Sequence, residues 1–285
     1  GAYGEPDQIL VLGGSTVNMP GGWVRGNVYG GSELSNDGAD NGSLPDLVIT
    51  NLVGGIVDGN VFGGGYRSIV NGSTHLHIGT GALGKCKYYQ THSDKKPNLK
   101  ASSLSVGNSV YAGGDYGGDG KDYNAITVKG TSHVYIDGGD YDTSNNASGT
   151  TMKLGGGVFG SGASCDAGST RLVTLETYGE EVLAGGTVTG ATRTLDSIQR
   201  ADRVVILNSH VQLIGQSDVA NANQTAKYSL NRIGDHEKAA GLGDLGNGLV
   251  LQGASTLILN SPAMELAAFR SVDADGKEAV ESSPK

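Results

Sequence analysis

Five short stretches of the chain carry apolar residues at alternate positions. Each starts with Ser or Thr and then has Val, Leu, Ile or Met at every second position: residues 15–19, 73–79, 131–138, 209–215 and 255–259. Because successive side chains of a β-strand point to opposite faces, this pattern predicts five half-buried strands. The apolar face is the expected core, formed by Val17, Met19, Leu76, Ile78, Val134, Ile136, Val211, Leu213, Leu257 and Leu259.

A second motif joins Val and an aromatic residue to a run of small residues. Its copies lie at residues 26–31, 59–66, 108–114 and 156–162. Val and aromatic residues favour strands, while glycines permit a sharp bend and the close approach of another backbone. We expect the four valines to point into the core and the four aromatic side chains to form a column: Tyr29, Phe62, Tyr111 and Phe159.

The two motifs alternate along the chain, which indicates a repeat architecture. Further β-prone stretches lie at residues 8–12, 47–52, 125–128, 171–177, 204–207 and 248–251. Coils of roughly 20 to 25 residues, two to each long repeat, would account for the intervals between copies. Because Gly supplies 49 of 285 residues, helices are disfavoured, and the best helix signal covers residues 261–269.

Charge and cysteine content exclude several classes of protein. The net charge of −9 is unfavourable for binding nucleic acid or anionic membrane surfaces. Two cysteines, Cys86 and Cys165, are too few for a disulfide framework or a Cys-rich zinc module. No apolar run has membrane-spanning length, and the first residues lack a signal-peptide pattern, so we expect that an export signal has been removed.

The two motifs together resemble the Gly-rich repeats of adhesins on bacterial cell surfaces. The resemblance rests on the Gly-Asn-Val-Tyr/Phe-Gly-Gly turns and the Ser/Thr-x-Val-x-Ile strands, and residues 198–204 and 228–233 look like C-terminal coils of that family. It covers most of residues 9–259. It implies a right-handed parallel β-helix similar to the pectin-lyase-like fold, exposed on gut or other commensal bacteria, and it carries over no catalytic positions.

The predicted fold is therefore all-β, a right-handed single-stranded parallel β-helix. This solenoid would have about ten coils and several loop insertions. We assign residues 1–260 to the β-helix. Residues 261–285 are assigned to a C-terminal cap or to the start of a following segment.

The polar face of the alternating strands is the first candidate ligand surface. The alternation places six residues there, which we call the His/Tyr stripe: His75, His77, His133, Tyr135, His210 and Gln212. The alternative is an ordinary solvated face. Copies two coils apart would lie about 10 Å apart, too far for the bonds of roughly 2.1 Å to a shared metal ion.

A basic insertion at residues 81–103 is the second candidate surface. Its tyrosines and lysines offer ring faces to sugars or a docking point to an acidic partner. The alternative is a charged, solvated loop. The candidate ligand-binding residues are Tyr88, Tyr89, His92, Lys95 and Lys96.

Carboxylates within residues 115–122 form a candidate calcium site. The residues are Asp115, Asp119 and Asp122. Flexible glycines between them would let oxygen ligands surround a hard cation. The alternative is a plain turn, since Asp and Gly are the usual turn residues, and no other cofactor is expected.

These observations predict a non-catalytic cell-surface adhesin or display module. It would bind a host or bacterial surface glycan, matrix or other cells through an outer face or the insertion, outside the cell and without nucleic acid or membrane insertion. The alternative is a carbohydrate-active enzyme, a polysaccharide lyase or glycoside hydrolase. Hydrolysis needs two carboxylates roughly 5 to 10 Å apart, and the predicted strands offer Asp137 and little else. A further alternative is a structural spacer.

Overall fold

The structure, a computed structural model, describes part of the chain. The described residues are 10–11, 13–34, 36–37, 47–79, 92–99, 103–115, 126–137, 152–163, 166–167, 171–176, 181–182, 188–189, 193–195, 198–207, 209–213, 232–233, 248–252, 255–259, 265–266 and 269–272.

Short strands make up most of the described chain. The first fourteen are β1 (Leu10–Val11), β2 (Thr16–Met19), β3 (Trp23–Val24), β4 (Val28–Tyr29), β5 (Asn36–Asp37), β6 (Leu47–Leu52), β7 (Gly55–Val57), β8 (Val61–Phe62), β9 (Ser73–Gly79), β10 (Leu104–Val106), β11 (Val110–Tyr111), β12 (Ile126–Val128), β13 (Ser132–Asp137) and β14 (Met152–Leu154). The others are β15 (Val158–Phe159), β16 (Asp166–Ala167), β17 (Arg171–Glu176), β18 (Glu181–Val182), β19 (Val188–Thr189), β20 (Arg193–Leu195), β21 (Ile198–Gln199), β22 (Arg203–Leu207), β23 (His210–Leu213), β24 (Arg232–Ile233), β25 (Gly248–Gln252), β26 (Thr256–Leu259), β27 (Glu265–Leu266) and β28 (Phe269–Val272). A 3-10 turn covers Ser93–Lys95.

Three parallel sheets organise these strands. The long sheet has the order β2-β6-β9-β13-β17-β22-β25-β28, the four-stranded sheet β14-β10-β7-β3, and the five-stranded sheet β21-β15-β11-β8-β4. We call the chain between consecutive strands of the long sheet a pass. The first four passes each visit the long, four-stranded and five-stranded sheets in that order. The fold is all-β with parallel sheets, and the described residues contain no α-helix.

The alternation of apolar and polar residues predicts most of the described core side chains. Six of the predicted core residues are buried in one hydrophobic cluster: Met19, Leu76, Ile78, Val134, Ile136 and Val211. Val17 is the exception, since it is half-buried and lies outside the core cluster, and Leu257 packs against the cluster while partly buried. The strands expected at 47–52, 125–128 and 171–177 are also present, as Leu47–Leu52, Ile126–Val128 and Arg171–Glu176. The local period of two is therefore enough to locate these strands and their inner faces.

The Val–aromatic motif forms the five-stranded sheet. Val61, Val110 and Val158 are fully buried in the core. The four rings stack as expected, with centroid distances of 4.7 Å from Tyr29 to Phe62, 4.9 Å from Phe62 to Tyr111 and 4.5 Å from Tyr111 to Phe159. Since parallel strands in register place equal positions side by side, a repeated aromatic residue becomes a continuous column.

The Asn of the same motif connects one pass to the next. Asn27 Oδ1 accepts a hydrogen bond from the Asn60 backbone N–H at 2.8 Å, and Asn60 Oδ1 accepts one from Ser109 N–H at 3.0 Å. Ser109 Oγ accepts a similar bond from Gly157 N–H at 3.2 Å. These side-chain oxygens accept hydrogen bonds from backbone N–H groups at the turns, so those donors are not left unpaired.

Register overturns the prediction of two coils per long repeat. Thr74 pairs directly with Ser132, so the interval of 58 residues between β9 and β13 is one pass with its insertion. Between β25 and β28 the offset is only 20 residues, from Leu249 to Phe269. Pass length varies because loops are added between strands whose pairing stays in register.

The helix expected at 261–269 is wrong where the structure describes it. Glu265–Leu266 forms β27, and Phe269 begins β28, which pairs with β25. Pairing with the backbone of a neighbouring strand stabilises the extended conformation, and this outweighs the local helix propensity. The domain boundary at residue 260 stays a prediction.

Candidate functional site

An exposed row of side chains crosses the outer face of the four-stranded sheet. Register places Trp23 beside Ile56, Ile56 beside Ser105, and Ser105 beside Lys153. We call these four residues the outer strip. Val57 and Val106, one position later on β7 and β10, are fully buried in the core, so the strip faces away from it. The strip therefore lies on the outer side of the sheet, where polar residues are expected, yet two of its four residues are large and hydrophobic.

Trp23 and Ile56 are unusually accessible for large hydrophobic side chains. Trp23 is 60% exposed and Ile56 is 47% exposed, and no other described residue is an exposed large hydrophobic. Exposed apolar side chains that lie together and are rimmed by polar groups mark interaction sites. These two residues are therefore the strongest candidate for a ligand-binding surface in the described chain.

Two charged side chains hold the indole of Trp23. Its Nε1–H donates a hydrogen bond of 2.9 Å to Asp58 Oδ2. The Arg25 guanidinium carbon lies 4.8 Å from the centroid of the indole ring, a cation–π distance. The ring is therefore oriented before any ligand arrives, which reduces the entropy that binding must overcome.

Trp23 is not among the site residues that the sequence predicts. It is the single Trp of the chain and lies in a two-residue strand, too short for a visible alternation. The sequence does carry one indication of Trp23: a large aromatic residue is unusual between the turn-forming stretches Gly21-Gly22 and Arg25-Gly26. Register with Ile56 cannot be seen in the sequence.

Four residues of the His/Tyr stripe form a compact ring cluster on the outward face of the long sheet. His210 and Gln212 lie on β23, in the separate three-stranded sheet β20-β23-β26, so the predicted single stripe is wrong for these two. His75 pairs with His133 and His77 with Tyr135 on adjacent strands. The ring centroids of His75 and His133 are 5.0 Å apart, and those of His77 and Tyr135 are 5.9 Å apart. His133 Nε2 lies 3.0 Å from Thr174 Oγ1 on the next strand. The structure therefore brings four of the predicted residues together on adjacent strands, closer than the spacing of two coils that the sequence suggested.

The stripe is not the exposed surface that the alternation predicts. His75, His77 and Tyr135 are 4%, 0% and 6% exposed. Ile49, which pairs with His75 and faces the same way, packs with Val53 against Leu99 of the insertion. Part of the insertion thus lies on this face, a contact that alternation within one strand cannot reveal.

Burial sets the protonation of His75. It lowers the pKa of His75 well below the ordinary value, and the neighbouring His133 and His77 lower that pKa further. Within the described residues, His75 Nε2 and Tyr135 Oη have no hydrogen-bond partner. His75 is therefore a neutral imidazole at neutral pH, and its site disfavours a charged ring.

The described part of the insertion presents its charges to solvent. His92 precedes the 3-10 turn and is half-buried, while Lys95 and Lys96 are exposed. The backbone N–H of Lys95 donates to His92 O at 3.0 Å. These three residues remain predicted ligand contacts.

Asp115 is the described member of the candidate calcium site. Its backbone N–H donates to Gly65 O at 2.9 Å, and its Oδ2 lies 3.5 Å from the Tyr29 hydroxyl. Burial raises the pKa of Tyr29 to about 12; the hydrogen bond from Asn27 opposes this, and Asp115 and Tyr66 add to it. Asp115 thus lies against the end of the aromatic column.

Several predicted site residues lie outside the described residues. These are Tyr88, Tyr89, Asp119 and Asp122, and the two cysteines, Cys86 and Cys165, also lie outside the described residues. His210 begins β23 and pairs with Thr256, and its placement is described for the backbone only. Their roles stay predictions.

Across the described ranges, no three His, Cys, Asp or Glu residues are grouped in a way that would hold a metal ion. The described chain also has no helix with the length and hydropathy of a membrane span. Comparison with protein-family models, with curated proteins and with solved structures finds no match for the chain.

Proposed function

We propose that the protein is a non-catalytic adhesin of the bacterial cell surface. It binds a glycan or protein of a host or of another bacterium, outside the cell. The outer strip is its binding surface. The observation that carries this proposal is the exposed, oriented Trp23 beside Ile56 on a sheet whose other face is buried core.

The proposed scaffold is a right-handed parallel β-helix. Three parallel sheets visited in a repeated order, together with the continuous aromatic column, support this architecture. Such a scaffold suits adhesion because a side chain on a strand within a sheet is held more rigidly than one on a loop. Ligand contacts would then form with little rearrangement of the backbone.

Binding to an array of glycans and matrix proteins tests the proposal. The full chain is compared with Trp23→Ala and with the double variant Lys95→Ala/Lys96→Ala, which alters the insertion. We expect Trp23→Ala to weaken binding at least about tenfold, as for a central aromatic contact, and the double variant to bind normally.

Two results would contradict the proposal. Binding that the insertion variant loses and Trp23→Ala retains would move the ligand site to the insertion. An array on which the wild type binds nothing would favour the spacer. Circular dichroism of each variant establishes that its fold is intact.

A further inference from the structure

We infer that the ligand of the outer strip is an extended anionic glycan. It lies along the strip from Trp23 to Lys153, with one sugar ring on the indole and a carboxylate or sulfate at the Lys153 ammonium. This inference rests on the proposed function and names the ligand class of the same surface.

The dimensions of the strip favour a short stretch of a linear polymer. Its four residues lie on four adjacent parallel strands, so Trp23 and Lys153 are about 14 Å apart at the usual strand spacing. Next to the strip, Gly107 and Gly155 are exposed and have no side chains to project beside Ser105 and Lys153. A chain of a few sugars can lie flat on such a surface.

The small apolar area argues against a stable protein partner. A standard protein interface buries about 800 Å² on each partner. In the described chain, two exposed large hydrophobic residues supply the apolar contact, with one half-buried serine and charged groups around them. This composition matches a sugar better, because a pyranose has an apolar face of C–H groups and a rim of hydroxyls.

The residues of the strip have two different roles, packing against a sugar ring and hydrogen bonding to its hydroxyls. The apolar body of Trp23 packs on a sugar face, while the Ser105 hydroxyl can exchange hydrogen bonds with sugar hydroxyls. Asp58 positions the indole, since its Oδ2 accepts the bond from Trp23 Nε1. Trp23 therefore supplies most of the affinity and the remaining residues orient the polymer.

Charge around the strip favours an anion. At the Trp23 end the charges of Arg25 and Asp58 offset each other, whereas Lys153 at the other end is exposed with no ion pair to any residue that the structure describes. On a chain of net charge −9, such a cation is a local complement for a negative group. The lysine–anion contact is exposed, so it should be weak and sensitive to salt.

Calorimetric titration of the full chain with three tetrasaccharides of matched backbone tests the inference. One carries uronate carboxylates, one carries sulfates and one is neutral. We expect the anionic sugars to bind more tightly than the neutral one, and Lys153→Glu to weaken anionic binding about fivefold or more while leaving neutral binding within about twofold. Lys153→Arg should restore it, and Lys129→Glu, an equal charge reversal at an exposed lysine outside the strip, should have no effect. The carboxylated and sulfated sugars separate the two sources of negative charge.

Each contrary outcome has a distinct meaning. Equal affinity for neutral and anionic sugars, or no response to Lys153→Glu, overturns this inference and leaves the proposed function standing if Trp23→Ala still abolishes binding. Binding that is indifferent to Trp23→Ala overturns both. A dimer in sedimentation of the wild type that Trp23→Ala dissolves also overturns the inference, because a second copy then covers the strip.

Discussion

The imidazole of His75 shows how burial changes the chemistry of a single residue. It lies 4% exposed among His133, His77 and Tyr135, and its lowered pKa follows from desolvation first and from the two imidazoles second. A histidine that is neutral in the folded chain but ordinary in the unfolded chain links stability to pH.

We predict that His75 makes the protein less stable in mild acid. The unfolded chain takes up a proton near pH 6.5, whereas folded His75 stays neutral to a much lower pH. Below about pH 6.5 the unfolded state thus binds more protons, and the free energy of unfolding falls by up to about 1.4 kcal/mol per pH unit from this group.

Urea denaturation of the wild type and His75→Phe at pH 7.5 and 5.5 measures this effect. The variant should lose less stability between the two pH values, because its ring cannot take up a proton. His92→Gln, which alters a half-buried histidine of the insertion, should keep the wild-type response. Identical pH dependence in the wild type and His75→Phe would contradict the prediction.

At the scale of the element, the Val–aromatic motif works because its backbones approach closely. A Cβ built on Gly59 would lie 2.6 Å from the backbone oxygen of Gly26 in the preceding pass. The same motif position in that preceding pass, Gly26 itself, has no atom within 4 Å of a built Cβ. The glycine is therefore required sterically in one copy and not in the other.

We predict opposite effects for the same substitution in these two copies. Gly59→Ala should lower the free energy of unfolding by about 1–3 kcal/mol, because backbone atoms must shift to make room. Gly26→Ala should be neutral or stabilising by about 0.4–1 kcal/mol, through the reduced entropy of the unfolded chain. Thermal and urea denaturation of both variants provide the comparison, and equal losses would show that the close approach is not the cause.

Polar contacts that no sequence motif predicts also connect the strands. Arg171 and Asp202 are both buried and form a bidentate ion pair, with 2.5 Å from Nη2 to Oδ1 and 3.1 Å from Nε to Oδ2. The Arg171 backbone N–H also donates to Asp202 Oδ2 at 2.8 Å. This pair ties the start of β17 to the residue before β22, so it fixes neighbouring strands in register.

For the whole molecule, stability depends on contacts between successive passes. Val134 lies in β13 with Leu76 and Val173 as its register neighbours, and all three are fully buried. A charge at this position would lie in the core between three strands of the long sheet. Because each strand obtains its ladder bonds and its core contacts from its neighbours, damage should spread along the stack.

We predict that Val134→Asp destabilises several passes together. Native-state hydrogen exchange should show lost protection in β9, β13 and β17, with a cost of several kcal/mol for the unpaired buried carboxylate. Thr16→Asp, an exposed position on β2, should leave these strands protected. Loss confined to β13 would mean that the passes fold independently.

The sequence by itself determined what depends on neighbours along one strand. The alternation located β9, β13 and the inward side of Leu76 and Val134, and the repeated Val–aromatic pair predicted the column of stacked rings. These features follow from the period-two geometry of a strand and from the repetition of one residue at one position.

Only the tertiary structure decided what depends on residues distant in sequence. The strand pairing shows that the 58 residues between β9 and β13 form a single pass. It also places Ile198–Gln199 as the fifth strand of the sheet that carries the aromatic column, and Trp23 next to Ile56. The packing of Leu99 on the outward face shows why a polar alternating residue such as His75 need not be exposed. The physical reason is that alternation tells which side of a strand a residue faces, whereas the contacts on that side come from other passes and from the loops between them.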